Sequence, residues 1–421
     1  MLSNKNYKYI IVLCCFLTFG LSTGFTYYNI MFFFDYWSKP LTQGGFGWAI
    51  EFITLGLPIG VLLSAWLGPV MLPRFSPKIM MAMGIILMSI AFYVFGNMNG
   101  STWQYFTAWF LFISGYTLAG PVPHQVIITN WFCKNRGLAM GIAYIGIAVV
   151  GWAGTRVAPY LVEHMDHNEA LTVMSGLILI ALPIIFIFLK DTPSPEQIDS
   201  NEFVALNDKQ TDENQEALNF KELLAKPNFW LLLLGSAASI GSIAVMNVHL
   251  KFILLEQGFT SQEGRNEIWA TAQGTILLSS IIGRLAIGKL ADIFSKRMVM
   301  IGVYAMVAVA IPLVFLVTPE SIQFVYLFAV VFGIAMGGDY MIIPLMANEL
   351  FGKKSLSKSM SLISVADTIS LAALPRIIAS LKNSMGGYDS ALWATFGFAG
   401  AGATAIMLIK SKSRNKTSRK K

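Results

Sequence analysis

The sequence predicts an all-α integral membrane protein with twelve transmembrane helices in two six-helix bundles. Three observations carry this. Of 421 residues, 55% are hydrophobic and only 13% charged, with a mean hydropathy of +0.61, a balance that a water-soluble domain does not show. Apolar stretches of about 20 residues, the length that spans a bilayer, recur along the whole chain. A short motif also returns at half length. Phe75-Ser76 followed by Lys78 reappears as Phe294-Ser295 followed by Arg297, and Phe132 with Lys134 as Phe351 with Lys353, every pair 219 residues apart. A repeat of this kind is the mark of one bundle written twice.

The spans fall at 8–34, 47–72, 77–97, 103–129, 136–163 and 169–189 in the first half, and at 227–253, 267–291, 298–318, 320–348, 357–381 and 388–410 in the second. The first has no small-residue cleavage site and reads as a retained helix rather than a signal peptide. Its polar residues Thr23, Thr26, Tyr27, Tyr28 and Asn29 lie on more than one face, as in a helix that lines a central cavity. The third and ninth follow the repeated Phe-Ser loops, and the fifth is rich in glycine. Between the sixth and seventh lies a polar stretch with nine acidic residues against three lysines, read as a linker. The chain therefore divides into a bundle over 1–190, a cytoplasmic linker over 191–226, and a second bundle with a basic tail over 227–421.

Orientation follows from the loops. With both termini in the cytoplasm, nineteen Lys and Arg residues lie at cytoplasmic ends and four (Lys39, Lys251, Arg265 and Lys382) on the other side, the asymmetry of the positive-inside rule. The net charge of +7 thus reports topology and attraction to anionic lipid, not nucleic-acid binding. Three cysteines, Cys14, Cys15 and Cys133, give no disulfide framework. No Walker-type glycine loop, metal-ligand spacing or paired nucleophile and base occurs. The chain is read as neither an enzyme nor a cofactor protein, and no metal is expected.

The most specific run is Asn130-Trp-Phe-Cys-Lys-Asn-Arg-Gly-Leu-Ala-Met-Gly-Ile-Ala-Tyr-Ile-Gly146. Trp131 anchors the loop at the interface, Lys134 and Arg136 hold the orientation, and Gly137, Gly141, Gly146, Gly151 and Gly154 form a small-residue face where another helix can approach closely. Gly283-Arg284-Leu-Ala-Ile-Gly-Lys-Leu-Ala-Asp292 and the degraded Gly68-Pro69 to Lys78 flank the eighth and second spans. With these motifs the whole chain resembles the major facilitator superfamily, and within it the oxalate/formate antiporter and monocarboxylate transporter group.

Charges inside the membrane cost at least about 2.5–3.5 kcal/mol each unless paired or facing water. Arg284 stands eight residues before Asp292 and Asp367 nine beyond Lys358, roughly 12 and 13.5 Å by helical rise, so both lie near mid-bilayer and a facing pair is expected. The resemblance implies that Arg284 binds a substrate carboxylate and that Asp367 replaces the lysine carried there by oxalate exchangers. An arginine beside an acid suits a monoanion taken with a proton. Asp339, after Gly337-Gly338, is a second proton candidate. Tyr28 and Asn29 are candidates for hydrogen bonds to a bound carboxylate. Arg156 and Arg376, 220 residues apart, are candidates for drawing anions into an outer vestibule. His249, Lys251 and Glu51 read as interfacial.

The expectation is a secondary active transporter of small organic monocarboxylates of the lactate, pyruvate or formate class. It would work by alternating access in the cell membrane, proton-coupled, and, by family analogy, as a monomer. The alternatives are an organic-anion exchanger and an efflux carrier for a larger amphipathic compound. Its partners would be the organic anion, a proton or counter-anion, and the lipid bilayer.

Overall fold

A computed structural model of the chain describes residues 6–64, 67, 75–132, 136–194, 218, 220–352 and 355–409. It is all-helical among these residues. In order, the helices are α1 (Tyr7–Ser38), α2 (Ile50–Ser64), α3 (Pro77–Gly96), α4 (102–131), α5 (Arg136–His164), α6 (His167–Phe188), α7 (Pro227–Glu256), α8 (Gln262–Ile293), α9 (Lys296–Leu316), α10 (Gln323–Phe351), α11 (Leu356–Met385) and α12 (Tyr388–Leu408). Ten are long and apolar enough to cross a membrane. The other two are α2, with fifteen described residues, and α4, which breaks at Gly120 into Thr102–Ala119 and Pro121–Trp131. Together they are consistent with twelve crossings. Much of the linker, the Gly68–Arg74 segment, Cys133, Lys134 and the tail beyond Ile409 lie outside the described residues.

The repeated Phe-Ser loops have a local cause. The Ser76 side chain caps α3 by accepting from the Ile79 amide, and Ser295 caps α9 by accepting from the Met298 amide. Each cap satisfies one of the donors that a helix start leaves open. At the other repeated position, Phe132 follows α4 and Phe351 ends α10, where Gly352 takes a positive φ of 80°.

α1 is longer than the sequence reading had it, continuing through Asp35, Tyr36 and Trp37 to Ser38, all but Ser38 buried. It widens to a π-helical stretch over Gly20–Phe25 where it crosses α5. The close approach requires glycine. A methyl group on Gly24 would stand 2.2 Å from the Ile147 carbonyl oxygen, and one on Gly146 would stand 2.0 Å from that of Phe16. The glycine face of α5 therefore packs chiefly against α1. Gly151 also approaches the last six helices, at Leu277, while Gly141 faces open space.

The first six helices pack on one another (α3 on α4 and α6, α2 on α4, α1 on α5), as do the last six (α8 on α10, α7 on α11 and α12, α9 on α10 and α12). The groups meet along α5–α8 and α2–α11. One hydrophobic cluster fills the first group and continues into the part of the second group remote from the chain termini. A separate cluster, from Phe229, Met300, Tyr304, Met346 and Ile406 among others, fills the termini end of the second group. Large apolar side chains such as Phe186, Ile187, Ile282, Leu285 and Trp393 are exposed on the outer surface, as a lipid-facing surface requires.

Candidate functional site

Close contact between α8 and α10 sets the position of Arg284. A methyl on Gly283 would come within 2.1 Å of the Ile334 carbonyl oxygen, one on Gly333 within 2.4 Å of that of Ile276, and one on Gly337 within 2.1 Å of that of Ser280. With no Cβ at these points the two backbones touch, and the next residue, Arg284, is carried to the junction with the first six helices. It is 5% exposed, and Nη1 donates to the backbone oxygen of Tyr144 in α5 at 3.0 Å.

Three tyrosines come near this guanidinium, Tyr28 buried, Tyr144 half-buried and Tyr340 exposed. Tyr28 of α1, Tyr144 of α5 and Tyr340 of α10 lie within electrostatic reach of it. Tyr27 stands edge-on to Tyr28 at 5.4 Å and tilted against Tyr116 at 5.8 Å. Gln125 donates to the Tyr144 hydroxyl at 2.6 Å. No carboxylate pairs with Arg284 among the described residues, and its Nε is buried without a hydrogen-bond partner. A buried cation with an unpartnered Nε, no paired carboxylate among the described residues and three tyrosines within electrostatic reach can accept an anion.

The facing Arg284–Asp367 pair expected from depth is not formed, because the two side chains lie toward different surfaces. Arg284 meets α5 across the groups, whereas Asp367 is half-buried within the last six, beside Ser236 of α7 and within electrostatic reach of Asp339 of α10 and Tyr304 of α9. Asp339 is fully buried. The Tyr304 and Ser239 hydroxyls stand beside its carboxyl group. One fully buried acid and one half-buried acid thus come near each other beside three hydroxyl groups, and Asp339 is the residue before Tyr340 on α10.

Other candidate residues fall elsewhere. Asn29 is committed to the α1–α5 seam: its amide donates to Phe25 O at 3.0 Å and, at 3.4 Å each, to Gly24 O and Gly151 O. Arg156 is exposed on α5 and Arg376 half-buried on α11. Trp131 ties α4 to the end of α6, its indole donating to Lys190 O at 2.8 Å, and packs on Tyr7 at 5.6 Å. Lys134 lies outside the described residues. Arg136 and Gly137 open α5 and Asp292 lies in α8, their side chains being outside the described ones.

His249 and Lys251 are buried within the protein. α7 runs on past both to Glu256, with His249 bonded to the Tyr388 hydroxyl at 2.7 Å and Pro375 O at 2.9 Å. The sequence reading missed Asp35, the acid that Lys251 meets. Its carboxylate accepts from Arg265 at 3.2 Å and Gln262 at 2.7 Å, with Lys251 Nζ at 3.5 Å. The available signal was an acid inside the first apolar span, which needs a partner.

Among the described residues, six hydrogen bonds join the first six helices to the last six. Five lie at the ends of α1, α2, α7, α8 and α11 remote from the termini, the Glu51–Asn383 contact included. The sixth is Arg284 to Tyr144. The molecule is clasped on the face opposite its termini. A crevice of about 450 Å³ on that face, lined by Ser38, Ile50, Phe252, Glu256, Lys382 and Tyr388 among others, includes neither Arg284 nor its three tyrosines.

Comparison with known proteins places this arrangement. A family model described as the Major Facilitator Superfamily matches residues 12–276 and 268–421. Monocarboxylate transporter 12-B of Danio rerio is 23% identical over 364 residues, covering 80% of this chain and 74% of that protein. A bacterial homologue of the human lysosomal transporter Spinster, solved in an inward-facing, unoccupied conformation, superposes with a TM-score of 0.60 at 15% identity, over 96% of this chain and 94% of that one.

Proposed function

The chain belongs to the Major Facilitator Superfamily, and from that premise we propose that this multi-pass membrane transporter carries small organic monocarboxylates of the lactate, pyruvate or formate class. The observation that carries the reading is Arg284, a buried guanidinium with no acid partner among the described residues, whose bound carboxylate would take the place next to Tyr28, Tyr144 and Tyr340. Arginine presents a planar fork that matches a carboxylate, and the phenolic groups add donors at low conformational cost. The similarity to monocarboxylate transporter 12-B supports the same class.

In this reading residues 1–190 rock against 227–421 across the 191–226 linker, with both termini on the cytoplasmic side of the cell membrane. The clasped face is then the outer one, and Arg284 is reached from the cytoplasm. Asp339 and Asp367 are taken to hold the coupling proton, because they are neighbouring acids with no cation paired to either among the described residues. Tyr340 and Asp339, adjacent on α10, link the anion site to the proton site. Arg156 and Arg376 are proposed to draw anions into the outer vestibule when that face opens.

Exchange of two anions is the second reading, favoured by the same unpaired guanidinium. An empty carrier must move Arg284 between the two faces without a counter-ion, whereas a loaded one moves it neutralised.

Proteoliposomes with an internal pH dye separate these readings when formate, lactate, pyruvate or oxalate is added outside. Protein-dependent acidification with a monocarboxylate, above the leak of the undissociated acid, is the outcome expected for symport. Release of preloaded labelled acid without acidification indicates exchange. No response to any acid overturns the carboxylate reading in favour of efflux of a larger compound.

A further inference from the structure

The cluster around Asp35 is built unevenly. Everything contributed by the first six helices comes from one stretch of α1: the Asp35 carboxylate, the Tyr36 hydroxyl, which accepts from Asn266 at 2.7 Å, and the Phe32 carbonyl, which accepts from Lys251 at 3.1 Å. Everything cationic in the ion pair comes from α7 and α8. Lys251 and Arg265 are 1% and 4% exposed and share the single acid, Asp35, itself 4% exposed. The cluster therefore has two basic side chains for one acid in a buried place. The Phe32 and Tyr36 rings face the ammonium at 3.7 and 4.6 Å, within cation–π range.

Arg265 is also held by partners other than Asp35. Arg265 Nη1 donates to Phe259 O at 2.8 Å and Thr260 O at 3.2 Å, and Nη2 to Gln262 Oε1 at 2.8 Å. All three partners belong to the α7–α8 turn or to α8. When α1 withdraws, the guanidinium stays aimed, the Gln262 amide loses its carboxylate, and Lys251 loses both Asp35 and Phe32. What remains is a carboxylate receptacle with two basic side chains and an amide donor, and with Arg265 Nε already buried and unpartnered.

We propose that Lys251, Gln262 and Arg265 form a second carboxylate site, a capture site on the face opposite the termini, and that Asp35 is a tethered stand-in for the ligand that fills it when this face closes. The ligand class is a small organic monoanion, which rests on the proposed carrier function. Arg265 and Arg284 lie nineteen residues apart on α8, roughly 28 Å by helical rise, so the two sites are separate and α8 carries both. An arriving carboxylate displaces Asp35 from the receptacle, and Asp35 later expels it inward as the face closes.

A latch without a ligand role makes a different prediction. If the cluster only holds the face shut, removing either side of it has the same effect. If it captures anions, the two sides act oppositely, because Asp35 competes with the ligand and the other three bind it.

The test is equilibrium binding of labelled lactate to the full chain in nanodiscs, in an Arg284→Ala background that removes the central site. Adding Asp35→Asn is expected to tighten lactate binding at least tenfold, and further adding Lys251→Met or Gln262→Leu to abolish the gain. No gain from Asp35→Asn overturns the capture site. Because uncompensated charges can prevent folding, Gln262→Leu alone, which changes no charge, provides a second measurement in proteoliposomes. Its half-saturation for lactate is expected to rise several-fold from the α8 N-terminal face and to be unchanged from the termini face. An equal change on both faces overturns the proposal. Lactate binding in the Asp35→Asn, Arg284→Ala protein together with no lactate flux in the unmodified chain would sink the carrier reading while leaving the capture site standing.

Discussion

Arg284 of α8 rests on the backbone oxygen of Tyr144 in α5 at 3.0 Å, a buried guanidinium against a neutral acceptor, with no acid paired to it among the described residues. The backbone oxygen of Tyr144 is already an acceptor within its own helix, so the bond is secondary there. For Arg284 it bridges the two groups of helices at mid-depth. Under the proposed function a bound carboxylate would supply the charge that this contact lacks, so loading the site would change how the two groups are held together.

Tyr340 is, of the three tyrosines near Arg284, the one closest in sequence to the acid pair. Removing its hydroxyl with Tyr340→Phe leaves the ring and one fewer donor for the anion. A fall of about tenfold in apparent lactate affinity is expected, the effect of losing roughly 1.4 kcal/mol, with protein yield and melting behaviour unchanged. An affinity equal to that of the original protein would remove Tyr340 from the site.

Asp339 and Asp367 lie within electrostatic reach of each other, with no cation paired to either among the described residues. Asp339→Asn and Asp367→Asn keep size and polarity while removing the titrating group. Each is expected to abolish lactate-driven acidification of the vesicle lumen and to retain exchange of labelled lactate for unlabelled. Unaltered acidification in both variants would place the coupling proton elsewhere.

Gly283 and Gly337 let the α8 and α10 backbones touch. A methyl at either position would stand 2.1 Å from a backbone oxygen, which no rotamer change relieves. Gly283→Ala and Gly337→Ala are each expected to destabilise by about 1–3 kcal/mol, the usual range for overpacking, and to weaken transport by displacing Arg284. Gly288→Ala, where the added methyl meets open space, is the control, with a melting midpoint expected to match the parent.

Trp131 joins α4 to the end of α6 through Lys190 O at 2.8 Å. Trp131→Phe keeps an aromatic ring beside Tyr7 and deletes the donor, so a loss of about 1 kcal/mol is expected, measured as a lower thermal midpoint. A midpoint equal to the parent's would mean that packing alone anchors this loop.

Much of the fold was legible because its causes are local. Ser76 and Ser295 mark helix starts by their own capping chemistry, and the apolar spans are set by bilayer thickness. Arg284 was legible from the Gly-Arg run that carries it, since the preceding glycine and the arginine do linked jobs. Its tyrosine neighbours were only partly so. Tyr340 and Tyr144 read as ordinary aromatic residues of apolar helices, and only packing brings them to one cation. Asp35 went unread for a different reason. Its partners lie 216 and 230 residues away, and Lys251 and Arg265 had been counted as loop charges that set orientation. The expected Arg284–Asp367 pair failed because equal depth along two helices does not fix which faces they turn.

The most direct test of the carboxylate assignment is uptake of labelled lactate by proteoliposomes carrying the original chain or Arg284→Lys. Lysine keeps the charge but lacks the planar fork. A fall in uptake of at least tenfold, with the protein folded and correctly inserted, is expected; undiminished uptake in Arg284→Lys would contradict the central role given to Arg284.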